Sequence, residues 1–149
     1  MKKLLLFLCL VTGCCEQISL PKRKPETQQE SQKSSVTSTL LRLHNFERSS
    51  RNVPLLELAD DLNEYAQKHT VHMAKNNSLR HSNISVLLRD YSACAENIAA
   101  GQKTPEDAVE SWMGSYGHRS NILSSDYRHV GFGYFSIEDE IYWCAVFGN

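Results

Sequence analysis

The stretch 129–147, HVGFGYFSIEDEIYWCAVF, decides the architecture. In its first half Val130, Phe132 and Tyr134 alternate with Gly131, Gly133 and Phe135, the period-two pattern of a strand. Its second half, residues 141–147 (IYWCAVF), is apolar throughout. Glu138-Asp139-Glu140 separates the two, so they pair as an antiparallel hairpin. A strand apolar on both faces must be covered on both faces. The covering layers have to come from upstream.

Upstream the period changes to that of helices. Thr104-Pro105-Glu106-Asp107 is a helix start: Thr104 caps, Pro105 suits the first helical position and Asp107 completes a capping box. This helix buries Ala108, Val109, Trp112 and Met113 and is expected to stop between Gly114 and Gly117. Over residues 56–75, Leu58, Leu62, Tyr65, Ala66, His69 and Met73 recur at steps of three and four, with Asp60, Asp61, Glu64 and Lys68 outward. Residues 36–48 give a further helix, with Leu40, Leu41, Leu43, His44 and then Phe46 in register for one face, before Asn52, a residue tolerated at positive φ, and Pro54 interrupt it. A short helix is expected near residues 85–91. Helices around a covered antiparallel sheet make an α+β domain, a three-layer α/β/α sandwich with a small sheet, over residues 38–149.

The first 37 residues read differently. Met1-Lys2-Lys3 is positive and residues 4–11 (LLLFLCLV) are apolar. Eight residues fall well short of the ~20 a spanning helix needs, and fit the core of a secretory signal. Val11-Thr12-Gly13-Cys14 resembles a bacterial lipobox, in which the cysteine is lipidated and becomes the first mature residue. The expectation is a lipoprotein signal over residues 1–13, exported and held on the cell surface or periplasmic face of a bacterial membrane by Cys14. Residues 14–37, rich in Gln, Ser, Lys and Glu, are expected to form a disordered tether. The chain carries a net charge of −1 and no basic stripe, which excludes nucleic acid as a partner.

Five cysteines are present. With Cys9 in the signal and Cys14 lipidated, Cys15, Cys94 and Cys144 remain. Export permits disulfides. A Cys94–Cys144 bridge would close a loop of about 50 residues and stabilise the fold by about 4 kcal/mol in the chain-entropy model. The alternative is two buried free thiols. The bridge is the expectation here; Cys15 is left over.

The ordered motifs resemble the CAP superfamily of cysteine-rich secretory, antigen 5 and pathogenesis-related proteins, also called SCP-like domains. His44-Asn45-Phe46-Glu47-Arg48 and Val53-Pro54-Leu55 are similar to its opening helix and turn. Arg80-His81-Ser82 matches its first histidine motif, and residues 95–101 (AENIAAG) match its Glu-Asn strand. Residues 112–123 (WMGSYGHRSNIL) resemble the signature of the bacterial branch. Residues 130–134 and 142–148 match the closing hairpin. The resemblance implies a cleft of two histidines and two glutamates. Here His81, Glu96 and His118 supply three corners, and Ser115 stands where the eukaryotic branch has the second glutamate. Tyr116 replaces a proline common in bacterial relatives, and the cysteine-rich extension of the animal members is missing.

Several chemistries suit such a cleft. Neutral His81 and His118 can share a divalent metal such as zinc. A His–Glu pair can move protons. Glu96 can instead accept backbone N–H bonds from the turn around Gly117 and His118. Ser115 lacks the strained turn of hydrolase nucleophiles. His44, His69, His72 and His129 are expected to be packed or solvated, Trp112 and Trp143 to anchor the core, Asn121 to cap or brace a turn and Arg119 to pair with a carboxylate. Three functions follow: a binding module for a lipid, a glycan or a partner protein; a His/Glu or metal-assisted hydrolase; and a surface scaffold. No confident catalytic residue emerges and no cofactor is required, so the binding module is the expectation.

Overall fold

The computed structural model describes residues 28–149. The signal at residues 1–13, the lipidation of Cys14 and the first part of the tether lie outside the described residues. Helix α1 (Gln28–Ser49) is followed by strand β1 (Glu57–Leu58) and helix α2 (Asp60–Lys75). A single 3-10 helix (Ile84–Arg89) leads into β2 (Cys94–Ala100). Then come α3 (Pro105–Gly114), α4 (Tyr116–Leu123), β3 (His129–Ile137) and β4 (Glu140–Gly148).

The four strands run in the order β1-β3-β4-β2. The expected hairpin is β3–β4, paired from His129↔Gly148 to Ile137↔Glu140. Its two-residue turn places Glu138 at φ 47° and Asp139 at φ 65°, the double positive φ that the twist of a hairpin favours. β4 is central and sorts its side chains by alternation. Trp143, Ala145 and Phe147 face a core shared with Leu40, Val109, Trp112 and Ile122, from α1, α3 and α4. Tyr142, Cys144 and Val146 face a second core with Leu62, Ala66 and Met73 of α2. The domain is therefore the α+β three-layer sandwich, with α2 covering most of one face and Leu87 and Tyr91 packing beside it.

That covering is close. A Cβ on Gly131 would lie 2.0 Å from the backbone carbonyl carbon of Leu62, and one on Gly133 would lie 2.4 Å from that of Ala66. The glycines let the α2 backbone rest directly on β3. Asn63 reinforces the contact: its Oδ1 accepts the Phe132 N–H at 2.8 Å.

On the other face Leu40, His44 and Arg48, spaced one helical turn apart, are fully buried along α1. Arg48 Nε donates to Pro54 O at 2.6 Å, Nη1 to Ile122 O and Ser124 O at 2.8 Å, and Nη2 to Tyr127 O at 3.1 Å. One guanidinium thus ties α1 to the turn before β1, to the end of α4 and to the entry of β3.

Four expectations need correction. First, α1 starts at Gln28, inside the stretch assigned to the tether. Residues 28–37 contain neither Gly nor Pro, so nothing there stops the helix. Second, α2 starts at Asp60 rather than near residue 56, because both backbone groups of Leu56 bond to the Asn45 side chain and residues 57–58 join the sheet. Third, a new helix, α4, follows α3 after one extended residue, Ser115 (φ −98°, ψ 126°). Gly117 lies in its first turn and the buried Ile122 holds its end. Fourth, Cys94 and Cys144 are free thiols. Cys94 registers with Gly148 and Cys144 with Ile98, so four residues along the strand, about 13 Å, separate them. A disulfide requires Cα atoms within about 7 Å.

The capping box is as expected: Thr104 Oγ1 accepts from Asp107 N, and Asp107 Oδ2 accepts from Thr104 N, both at 3.1 Å.

His44 is packed as expected, in a demanding place. Its Nδ1 donates to Leu40 O at 2.8 Å, its Nε2 has no partner among the described residues, and its ring lies 4.9 Å from that of Phe132. Burial lowers its pKa to about 4; the charge of Arg48 adds to this and the Leu40 bond opposes it. An unfolded chain takes up the proton near pH 6.5 while the folded one does not, so the stability contribution is complete above 6.5 and is lost as pH falls toward 4. Denaturant midpoints should show a loss of about 3 kcal/mol between pH 7 and pH 4 from this group, and His44→Leu should flatten that slope.

Candidate functional site

The site forms along the outer edge of β2. Alternation sends Glu96 toward the α2 face and Asn97 toward the α4 face. β2 is an edge strand, so groups from both helical layers can reach round it.

Glu96 is the centre on the α2 side, with 6 % of its surface exposed. Its Oε1 accepts from His81 Nδ1 at 2.8 Å and from Ser82 N at 2.9 Å. Its Oε2 accepts from Ser82 Oγ at 2.5 Å, with Cys144 Sγ at 3.8 Å as a weak further donor. His69 Nε2 also lies 3.8 Å from Oε2, but its hydrogen bond goes to Arg80 O at 2.8 Å. The carboxylate raises the pKa of the buried Cys144 thiol, an effect added to the larger one of burial. Tyr65 completes the cluster by donating from Oη to Ser82 Oγ at 3.0 Å.

This wiring fixes His81. Its Nδ1 donates to Glu96, so in the neutral ring Nε2 carries the free lone pair. The side chain is 61 % exposed, so that lone pair is open to a ligand.

On the α4 side Asn97 Nδ2 donates to His118 O at 3.0 Å, and Asn121 Nδ2 donates to Asn97 Oδ1 at 2.8 Å. His118 is half-buried in the first turn of α4. Its pKa is lowered, first by burial and then by the charge of His81. Ser115 stands at the α3–α4 joint; its carbonyl accepts from Arg119 N at 2.8 Å.

The structure thus gathers His81 and Glu96 directly, while His118 is fastened to the same strand through Asn97. Glu96 does not bond the turn at Gly117 and His118; Asn97 serves that turn and Glu96 serves the 81–82 segment. Ser115 makes no side-chain hydrogen bond to Glu96 among the described residues. Asn121 braces β2 from within a helix rather than capping a turn, and Arg119 forms no ion pair among the described residues. Sequence reasoning missed His69 as part of the cluster. Its signal was a histidine on the inward face of α2, where an apolar side chain would be the simpler choice.

No group of three or more His, Cys, Asp or Glu side chains gathers to hold a metal among the described residues. No helix among them is long and apolar enough to cross a membrane.

The His81–Glu96 pair joins two of the motifs that carry the resemblance to SCP-like domains. The sequence profile of the cysteine-rich secretory protein family, CAP, matches residues 41–147, and the chain belongs to that family. It is 31 % identical over 135 residues to YkwD, an uncharacterized protein of Bacillus subtilis, covering 85 % of this chain and 52 % of that one. The chain thus spans about half the length of that relative. Among solved structures it is similar to an extracellular protein containing an SCP domain from Bacillus anthracis (TM-score 0.70, 25 % identity, 85 % of this chain and 45 % of that one). It also shares the fold of an outer surface protein from Borrelia burgdorferi (TM-score 0.69, 18 % identity, 75 % of this chain and 90 % of that one).

If Glu96 organises this edge, removing its carboxylate leaves the Ser82 N–H and the His81 Nδ1–H without acceptors. Glu96→Ala should cost about 3 kcal/mol in chemical denaturation, and Glu96→Gln, which keeps one acceptor oxygen, clearly less. Equal stability of all three chains would show that the cluster contributes nothing to the fold.

Proposed function

We propose that this chain is a surface-anchored binding module whose ligand, a lipid, a glycan or a partner protein, is engaged at the His81–His118 edge. One observation carries the reading. Both oxygens of Glu96 are engaged by donors, while His81 presents its free nitrogen outward. A carboxylate so committed orients its histidine; a general acid or base needs an oxygen that can reach the reacting proton. The free Nε2 of His81 has no Ser, Thr or Cys side chain hydrogen-bonded to it among the described residues, so no nucleophile is paired with it, and this favours binding over a hydrolase.

The two imidazoles also suit a divalent metal such as zinc. Glu96 on Nδ1 is the outer partner that steadies a ligating histidine, and burial lowers the pKa of His118, which disfavours the protonated form that cannot ligate. Two protein nitrogens leave positions for water or ligand, so affinity is modest and the binding role does not depend on the metal. In calorimetry at neutral pH, His81→Ala and His118→Ala should each weaken zinc binding at least about tenfold. Ser115→Glu should strengthen it by adding a carboxylate corner, and lower pH should weaken it as protons compete. Zinc binding that is absent, or indifferent to both histidine variants, refutes the shared edge.

The anchor rests on the Lys2-Lys3, apolar and Val11-Thr12-Gly13-Cys14 order. The extracellular and outer-surface names of the two solved relatives agree with it. Fatty-acid labelling in a bacterial host should be lost in Cys14→Ser; equal label in the variant refutes lipidation.

A further inference from the structure

A hollow of about 580 Å³ lies between the last two turns of α2 and the segment 78–83, behind His81. Its chemistry is one-sided. Arg80 lines it, and among the described residues that guanidinium makes no ion pair or hydrogen bond. His72 accepts at Nδ1 from Asn76 Nδ2 at 3.3 Å, which places the proton of the neutral ring on Nε2 as a donor. Asn83 spends its Oδ1 on Ser85 N and Ser85 Oγ, at 3.3 and 2.5 Å, which leaves its amide NH₂ free. Ser78 adds a hydroxyl.

No carboxylate lines the hollow. Glu96, beneath it, is already engaged by His81 and Ser82. The carbonyls at the end of α2, a usual objection to an anion there, are occupied: His72 O by Asn76, Ala74 O by Asn77 N and Met73 O by Ser78 N. The hollow therefore offers donors from two walls and one fixed positive charge at its rim, with the Glu96 carboxylate beneath it turned to His81 and Ser82.

We propose that this hollow is an anion subsite that takes a phosphate ester, seated on Arg80. Donors converging from two sides match the several oxygens of a phosphate better than the two coplanar ones of a carboxylate. The volume admits the ester's organic part as well. The inference rests on the reading of the domain as a binding module, but on side chains other than His118 and Ser115.

The test titrates the full chain with glycerol 3-phosphate, followed by NMR, with glycerol as the control. The amides of Ser78, Arg80 and Asn83 should shift saturably with the phosphate and not with glycerol. Arg80→Gln keeps the backbone carbonyl that holds His69 and should weaken binding about tenfold, with Arg80→Lys between the two. A second arm compares vesicles of phosphatidylglycerol and phosphatidylcholine, to which a lipid anchor contributes equally. Arg80-dependent preference for phosphatidylglycerol assigns a lipid headgroup, whereas binding of glycerol 3-phosphate without that preference assigns a soluble ester. Shifts scattered over the surface, or equal binding by Arg80→Gln, overturn the subsite. Zinc binding through His81 and His118 should be unchanged in Arg80→Gln, so either reading can fail without the other.

Discussion

The backbone-on-backbone contact between α2 and β3 sets the geometry of everything around it. Residues 131 and 133 must lack a Cβ, because Leu62 and Ala66 of α2 occupy that space. Interiors packed to crystal density leave no slack for an added methyl group at such a place. With α2 held at that height, His69 reaches the level of Glu96 on β2, two strands away from β3. The site is thus a consequence of how closely one helix sits on the sheet.

From there the arrangement spreads by alternation. Consecutive residues of one edge strand do opposite work: Glu96 fastens the segment that carries His81, and Asn97 fastens the helix that carries His118. A buried carboxylate is costly unless its lone pairs are satisfied. Here the donors that satisfy it come from the segment it positions, so the cost of burial and the ordering of the site are met by the same bonds.

The sequence made much of this legible. The hairpin over 129–147, the Thr104 capping box and the positive φ of Asn52 are local patterns, and local chemistry decides them. Three of the misreadings share one cause. A helix beginning right after Ser115, the extended segment that delays α2 to Asp60 and the distance between Cys94 and Cys144 are fixed by partners outside the local stretch. Ile122 holds α4, Asn45 holds Leu56, and the β2–β4 register separates the thiols. Glu96 and His81 stood out as chemistry-bearing residues, but which group Glu96 serves depends on the face it takes in the sheet. His69 stayed hidden because a histidine at a core position of a helix has the same spacing whether it packs or bonds.

Arg48 has a mechanical consequence. Its four bonds radiate from one side chain to carbonyls in three separate parts of the chain. A pull applied ahead of α1 can draw off the first turns of that helix, but not its last. There it reaches a rivet, where several bonds must break together. The end of α1 therefore passes such a load into the chain around β1, α4 and β3 instead of fraying.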